Sequence, residues 1–176
     1  MTSSEPERLE GRRVTLRRPT SDDAPALAAI LAAPEVGRWW PALDVDGVRR
    51  ELIEPRADEE PWVIEQDGRV VGYIQSWEEA EPDFRHAGID LFLAVSAQGR
   101  GLGPDAIATL AADLIDRRGH HRLTIDPVAA NARAIAAYRK VGFRPVGVMR
   151  AYQRTGNGWE DGLLMELLAD ELVREP

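Results

Sequence analysis

The stretch Gln98-Gly99-Arg100-Gly101-Leu102-Gly103 follows an apolar run and opens a segment with helical spacing. Its alternating glycines leave the backbone bare, so that consecutive N–H groups can point into one concavity and bind phosphate oxygens. Pro104 comes next, and its fixed φ and missing N–H suit the first turn of a helix. The dipole of that helix adds positive potential at the same point. The stretch therefore predicts a loop that binds a pyrophosphate.

Two other phosphate-binding loops do not fit this stretch. A P-loop requires Lys followed by Ser or Thr after its last glycine, where this chain has Pro104 and Asp105. A dinucleotide-binding fold requires G-x-G-x-x-G and an acidic ribose ligand at the end of the next strand, and neither spacing is present. For the loop alone, a structural turn without a ligand stays open as the alternative.

The composition limits the class of protein. The 176 residues predict one domain over 11–176 after a flexible N-terminus at residues 1–10. The absence of cysteine excludes disulfides, thiolate metal sites and a cysteine nucleophile. With three histidines in the chain, no metal site is expected, and the pair His120-His121 is expected to lie in an exposed turn.

The net charge indicates the kind of partner. It is −8, from 30 acidic and 22 basic side chains, which disfavours nucleic acid and anionic membranes and suits a cationic small molecule. No apolar run follows Met1, and none approaches the roughly 20 residues that span a bilayer. We therefore expect a cytoplasmic protein, and these observations leave open whether it is a monomer or a homodimer.

The spacing of apolar residues predicts a mixed α/β fold. In chain order we expect a strand, two helices, three strands, a helix, a strand, a helix and two strands. The predicted strands lie at 13–18, 62–65, 69–77, 88–95, 122–126, 146–154 and 163–168, and the predicted helices at about 21–33, 44–55, 104–117 and 131–141.

Asp90 is the conspicuous residue of the apolar strand 88–95. An unpaired buried carboxylate is costly, so that a carboxylate here has a partner or faces a cavity. In a cavity it could take a proton from an attacking ammonium group, directly or through water. The alternative is a structural ion pair with Arg85 or Arg100.

A second motif, Asn131-x-x-Ala134-x-x-x-Tyr138-x-x-x-Gly142-Phe143, lies downstream of the loop. Asn131 is a good helix N-cap and Gly142 a good helix end. Tyr138 follows Asn131 by about two helical turns, so both side chains project from one face. On its own, Tyr138 is equally well explained as a packing aromatic.

Together the loop and this motif resemble those of the GCN5-related N-acetyltransferases (GNATs). The resemblance implies a GNAT fold, with a central mixed, mostly antiparallel sheet of six to seven strands, splayed at the acetyl-CoA site and flanked by about four helices. It implies acetyl-CoA as co-substrate and no metal, with Tyr138 donating a proton to the departing thiolate. The residues that it assigns to acetyl-CoA are Leu93, Ala94 and Val95 through their backbone, Gln98, Gly99, Arg100, Gly101, Leu102, Gly103, Pro104, Asn131 and Ala134.

Several blocks resemble the aminoglycoside 6′-N-acetyltransferases with a Trp-Trp pair. By this resemblance Asp90 is the carboxylate beside the acetylated amine, and Trp40, Gln75 and Asp126 line the aminoglycoside site, whereas Trp39 supports the fold. The blocks occur in the family's order, at 35–40, 72–76, 88–90, 101–103, 124–127 and 131–143.

Two regions depart from that family and leave the acceptor open. The acidic loop 78–83 is shorter, and the chain after Phe143 matches poorly, so no role is assigned to Glu78, Glu79, Glu81, Glu160 or Asp161. We expect direct transfer of an acetyl group to a primary amine of an aminoglycoside, since no cysteine can carry it. The alternatives are a siderophore lysine, a kasugamycin-type 2′-amine, a protein N-terminus, or an acyl-CoA sensor without activity.

Overall fold

One sheet organises the chain, with its eight strands in the order β1-β2-β3-β4-β5-β6-β8-β7. The computed structural model describes residues 7–54 and 57–176. Every neighbouring pair is antiparallel except β5 and β6, which are parallel. The strands are β1 (Arg8–Glu10), β2 (Thr15–Arg17), β3 (Glu59–Gln66), β4 (Arg69–Glu79), β5 (His86–Leu93), β6 (Arg122–Ile125), β7 (Arg144–Thr155) and β8 (Gly158–Leu168).

The helices lie where the spacing predicts them, with local differences. Pro34 begins a further short helix as well as ending the first one. The helix predicted at 44–55 is a turn of α-helix continued by a π-helical turn at Arg49–Ile53, and its last residue lies outside the described residues. The helices are α1 (Ala24–Leu31), α2 (Pro34–Gly37), α3 (Val45–Val48), α4 (Leu102–Asp116) and α5 (Ala132–Val141).

The N-terminal prediction is wrong in part. Arg8–Glu10 pairs with β2 as an edge strand. Regular structure therefore begins within residues 1–10, which we expected to be flexible. Residues 1–6 of that predicted flexible segment lie outside the described residues. The three residues of β1 are mainly exposed, so no apolar alternation marks them in the sequence.

The two faces of the sheet carry separate apolar clusters. Ile74 and Ile89 pack with α4 and α5 in the larger cluster. Tyr73 and Phe92, which are an odd number of residues away from Ile74 and Ile89 on the same strands, pack with α1 and α3 in the smaller one. Because side chains alternate between faces along a strand, Gln75 and Asp90 share the face of Tyr73 and Phe92.

The sheet opens where β5 leaves β6. The two strands pair only at Ala87 with Leu123 and at Gly88 with Thr124. From Ile89 to Leu93 the strand β5 stays paired with β4 alone. The splay expected from the sequence is therefore present, with one strand more than the six to seven predicted.

His120 differs from its prediction, whereas His121 is exposed as expected. The His120 side chain is 1% exposed, and neither ring nitrogen has a hydrogen-bond partner among the described residues. Burial, together with Arg85 and Arg118, lowers its pKa to about 4 against opposition from Glu78. The histidine is therefore neutral in the folded protein at pH 7.

A buried carboxylate on α4 forms hydrogen bonds with the turn between the N-terminal strands β1 and β2. Asp105 is 5% exposed and accepts hydrogen bonds from the backbone N–H groups of Arg12 at 3.2 Å, Arg13 at 2.8 Å and Val14 at 3.1 Å. Gly11 is needed beside it, because a Cβ there would lie 2.7 Å from Asp105 Oδ2. The turn between β1 and β2 is thereby tied to the first turn of α4.

We expect Asp105→Ala to lower the free energy of unfolding by roughly 3 kcal/mol, because it leaves buried N–H donors without an acceptor. Urea unfolding measures the change. The matched control, Asp116→Ala, removes an exposed ion pair with Arg174 and should change stability far less. Equal effects of the two substitutions would contradict the role given to Asp105.

We also expect His120 to weaken the fold in acid. Because its pKa falls from 6.5 to about 4 on folding, the unfolded chain binds the extra proton, and stability drops as the pH falls from about 6.5 towards 4. Unfolding of the wild type and of His120→Asn at pH 7 and pH 5 tests this. The variant should lose part of the pH dependence, and an unchanged pH dependence would exclude the histidine as its source.

Candidate active site

A cavity of about 930 Å³ lies where β5 and β6 diverge. All four residues predicted to bind the acceptor line it, as does the predicted proton donor Tyr138. The sequence-predicted residues on its wall are Trp40, Gln75, Asp90, Asp126, Tyr138, Leu93, Gln98, Gly99, Gly101, Gly103, Pro104, Asn131 and Ala134.

Four residues predicted to bind acetyl-CoA do not line this cavity: Ala94, Val95, Arg100 and Leu102. Leu102 is 2% exposed within the core. The Ala94 N–H group is already bonded to the Val71 carbonyl at 2.8 Å. The expectation that the Ala94 amide is available to a ligand is therefore wrong.

The strand backbone offers different groups instead. Ala94 forms a hydrogen-bonded pair with Val71, and such pairs alternate with non-bonded pairs along an antiparallel ladder. The backbone groups of Leu93 and Leu91 therefore point away from β4, into the gap beside β6. Leu91 lines the cavity and was not identified from the sequence.

The glycine loop has the conformation that its sequence predicts. Gly99 and Gly101 have φ of +73° and +79°, in the left-handed region that side chains rarely adopt. Leu102 begins α4, so the first free N–H groups of that helix lie at the cavity. Gln98 braces the loop, because it donates to the Leu93 carbonyl at 3.0 Å and accepts from Arg133 at 2.9 Å.

Asp90 faces the cavity without a cation. The Gln75 side chain donates to it, with Nε2 at 3.5 Å from Oδ2. Arg85 pairs with Glu78 at 2.9 Å, and no described arginine forms an ion pair with Asp90. Of the two interpretations of Asp90, the described structure therefore fits the carboxylate in a cavity.

The environment of Asp90 changes its acidity. Burial raises its pKa from 3.8 to about 6, helped by the nearby Asp126 and Glu59 and opposed by the hydrogen bond from Gln75. The pKa of Asp126 is raised as well, mainly by burial. Two carboxylates with raised pKa values in one cleft are typical of a site that handles protons or binds cations.

Tyr138 lies on the same wall and stays protonated. Burial raises its pKa well above the usual range, and the charges of Asp90 and Asp126 raise it further. Asn131 caps α5 by accepting from the Ala134 N–H at 3.2 Å, and Gly142 ends the helix with a φ of +112°. The helix therefore holds a phenolic donor beside the two carboxylates.

Aromatic rings form the other end of the cavity. Trp39 lines it together with Trp40, which differs from the supporting role expected for Trp39. Trp77 crosses the strand β5 at Gly88, where any Cβ would collide with the indole ring. Trp77 lies two residues after Gln75 on the same strand, so the alternation of side chains could have identified it from the sequence as a further lining residue.

The last hairpin supplies lining residues that the sequence did not reveal. They include Tyr152 and Trp159, which is 65% exposed at the rim. No sequence signal marks Tyr152, because it lies within an irregularity of β7, between Met149 and Gln153, where the alternation of side chains is interrupted.

None of the five unassigned acidic residues lines the cavity, and the carboxylates of Glu78, Glu79, Glu160 and Asp161 have structural partners. Glu78 lies on the opposite face of β4 from Gln75 and pairs with Arg85. Glu79 accepts from the Glu81 N–H. On the last hairpin, Glu160 contacts Thr155, and Asp161 accepts from the Ala151 N–H.

Two further observations concern metals and membranes. Within residues 7–54 and 57–176, no three His, Cys, Asp or Glu side chains are grouped so that they could hold a metal ion. The helices in the same part of the chain are too short or too polar to cross a membrane.

Removal of the Asp90 charge should stabilise the fold. Because folding raises this pKa from 3.8 to about 6, the folded state binds the proton more tightly, and wild-type stability falls as the pH rises through that window. Asp90→Asn should therefore be more stable than the wild type by roughly 2 kcal/mol at pH 8. The gain should shrink towards pH 4 in urea unfolding, and a gain independent of pH would contradict this assignment.

Comparison with known proteins agrees with this geometry. A family model described as an acetyltransferase (GNAT) domain matches residues 13–144. The aminoglycoside N(6′)-acetyltransferase type 1 of Klebsiella pneumoniae is 31% identical over 153 residues, with 77% of this chain and 76% of that protein covered.

Solved structures share the architecture. RimJ from Mycobacterium smegmatis, in complex with CoA-disulfide, aligns with a TM-score of 0.82 at 26% identity, covering 95% of this chain and 90% of that one. The aminoglycoside acetyltransferase AAC(6′)-Ib, in complex with coenzyme A and kanamycin, aligns with a TM-score of 0.75 at 27% identity, covering 90% and 96%. Because the family model spans both the glycine loop and the Asn131 motif, this protein belongs to the GNAT acetyltransferase family.

Proposed function

We propose that this enzyme transfers the acetyl group of acetyl-CoA directly to the 6′-amine of an aminoglycoside. The observation that carries the proposal is one continuous cavity with two unlike halves. One half has a glycine loop and a helix N-terminus, and the other has carboxylates and indole rings, with Asp90 and Tyr138 on the wall. The first half suits an anionic cofactor and the second a polycationic sugar.

The cofactor half fits acetyl-CoA. Gly99 and Gly101 present bare backbone at the start of α4, which suits the pyrophosphate. The backbone groups of Leu91 and Leu93 face the gap beside β6 and can pair with the pantetheine arm as an added strand would. The Asn131 side-chain amide lies on the opposite wall of that gap.

The chemistry needs one base and one acid. The amine attacks the thioester carbon, so that a C–N bond forms as the C–S bond breaks. Asp90 takes the proton that the amine loses, directly or through water, because with a pKa of about 6 it is ionised at neutral pH. Tyr138, kept protonated by its surroundings, gives a proton to the departing thiolate.

The acceptor half favours an aminoglycoside over a neutral amine. Asp90, Asp126 and Glu59 place negative charge around the site, and indole faces suit the apolar faces of sugar rings. The curated relative at 31% identity is named as an aminoglycoside 6′-acetyltransferase. A peptide N-terminus is the competing acceptor, because a relative from Salmonella typhimurium, 39% identical over 70 residues, is named as a ribosomal protein bS18-alanine N-acetyltransferase. RimJ also aligns with a higher TM-score than AAC(6′)-Ib, 0.82 against 0.75.

A release assay for free CoA decides between these acceptors. We expect turnover with kanamycin, tobramycin or gentamicin and little with kasugamycin, lysine or an alanine-initiated peptide. NMR of the product should show the acetyl group on the 6′-nitrogen. Preference for the peptide would contradict the aminoglycoside proposal, and tight CoA binding without any turnover would favour the sensor.

Asp90→Asn should lower kcat by about 100-fold or more, because the site loses its proton acceptor. In the wild type, kcat should fall below about pH 6 as Asp90 becomes protonated, and that limb should vanish in the variant. The exposed Asp116→Asn serves as the matched carboxylate control. An unchanged kcat in Asp90→Asn would exclude Asp90 as the base.

Tyr138→Phe should slow transfer about 10-fold or more while the Kd for CoA stays near the wild-type value. The phenyl ring keeps the packing against Phe143, so only the proton donor is lost. Stopped-flow transfer rates and calorimetric CoA binding separate the two effects. A parallel loss of CoA affinity would instead indicate a binding role.

A further inference from the structure

A second cavity, of about 220 Å³, lies beside β4. Ser76 lines it, and because side chains alternate along a strand, Ser76 and Gln75 point to opposite faces of the sheet. Leu114 near the end of α4 and His120 in the turn after that helix complete the wall. Neither the glycine loop nor Asp90 lines this cavity, so acetyl transfer leaves it without a role.

Three buried polar atoms at this second cavity lack partners. The side chains of His120 and Ser76 belong to residues that are 1% and 2% exposed. Among the described residues, neither ring nitrogen of His120 nor Ser76 Oγ has a hydrogen-bond partner. His120 Nε2 lies 3.6 Å from Glu78 Oε1, which is beyond hydrogen-bonding distance. Because unpaired buried polar groups are costly, their presence in one cavity indicates a polar ligand.

The second cavity has an open side and a partly apolar interior. Ala57, Asp58 and Ala80 on its lining are exposed, whereas Ala87 and Leu114 are buried. A ligand can therefore enter past the exposed residues and reach the buried polar atoms. The apolar surface inside suits a short run of methylene groups. The volume far exceeds the roughly 30 Å³ that one water molecule takes up in the liquid.

The charges around the second cavity favour a cation. Its carboxylates are those of Asp58, Glu59, Glu60 and Glu78, and the guanidinium groups that pair with Glu60 or Glu78 are those of Arg18, Arg85 and Arg118. Four carboxylates and three guanidinium groups leave one negative charge. A ligand with one positive charge would balance it, because buried charge is tolerated when it is paired.

His120 narrows the class of ligand further. Burial, together with Arg85, Arg118 and His121, lowers its pKa to about 4 against opposition from Glu78, so the ring is neutral at pH 7. A neutral imidazole has one N–H donor and one acceptor nitrogen. An ammonium group can donate to the acceptor nitrogen, and a hydroxyl oxygen can accept from the N–H. A simple alkylammonium ion satisfies the first nitrogen and leaves the second unpaired.

We propose that the second cavity binds a short amino alcohol in its protonated form. The ammonium group would lie among the carboxylates and donate to His120 and to Ser76 Oγ, and the hydroxyl group would accept from the other His120 nitrogen. No three carboxylate or imidazole groups of the described residues converge as metal ligands, so an organic cation fits better than a metal ion. This goes beyond the proposed function, because the second cavity is available whichever acceptor the active site takes.

Ethanolamine is the probe, with two matched relatives. Propylamine replaces the hydroxyl by a methyl group, and ethylene glycol lacks the charge. With the full chain at pH 7, we expect the His120 side-chain ¹⁵N resonances to shift saturably on addition of ethanolamine, with a Kd in the millimolar range. Propylamine and ethylene glycol should each bind at least about tenfold more weakly. The absence of a saturable His120 shift, or equal binding of all three probes, would overturn the proposal.

Variants locate the bound probe. Ser76→Ala removes one oxygen and should weaken ethanolamine binding about tenfold, whereas His120→Phe should abolish it. Asp90→Asn alters the acceptor cavity instead and should leave the Kd within about twofold of the wild type. Weaker binding in Asp90→Asn with an unchanged Kd in Ser76→Ala would place the probe in the acceptor cavity and overturn the proposal. Should His120→Phe fail to fold, the wild type and Ser76→Ala still decide.

Discussion

The rest of the site depends on the backbone of β5 beyond Gly88, which pairs with a neighbouring strand on one side only. A strand inside a sheet normally satisfies its N–H and C=O groups on both sides, and an unsatisfied buried group is costly. Here the other side faces a cavity between β5 and β6, so a ligand with amide groups can complete the ladder. The divergence also sets the positions of α4 and α5, because both helices start at this opening.

The same opening gives the carboxylates their unusual acidity. Asp90 would be an ordinary surface residue on a strand that faced water, whereas on this strand it is enclosed among Gln75, Phe92 and Asp126. The arrangement opposes folding at neutral pH, since charged groups of like sign are buried together. Such a cost is typical of residues retained for chemistry.

The parts that the sequence predicted are those with short-range causes. The glycine loop needs residues that tolerate a left-handed backbone at fixed positions. The Asn131 side chain caps a helix by accepting from the N–H group three residues later. Asp90 stands out because its neighbours are apolar. Their spacing alone was enough to predict them. What the family resemblance implied for the Ala94 amide failed, because the strand register decides which amides face the gap, and only the pairing of β4 and β5 determines that register.

The parts that the sequence missed have long-range causes. Tyr152 reaches the site through a bulge whose brace, Asp161, lies on another strand, and no local pattern contains both. His120 is buried because β3, β4 and the end of α4 close over it, although its local sequence resembles a turn. Family resemblance also weakens after Phe143, in the hairpin that supplies much of the acceptor wall.

The tie between Asp105 and the turn at Arg12–Val14 has a consequence for how the protein can be handled. The first turn of α4 lies at the end of the cavity that we propose binds the pyrophosphate, and Arg13 also donates to the Arg100 carbonyl at 3.3 Å within the loop. The start of the chain is therefore a mechanical part of the cofactor site, although it is remote in sequence. Tags and fusion partners at the N-terminus therefore pull on this connection directly, whereas those at the C-terminus reach the same turn only through the exposed ion pair between Glu175 and Arg12 at 3.0 Å.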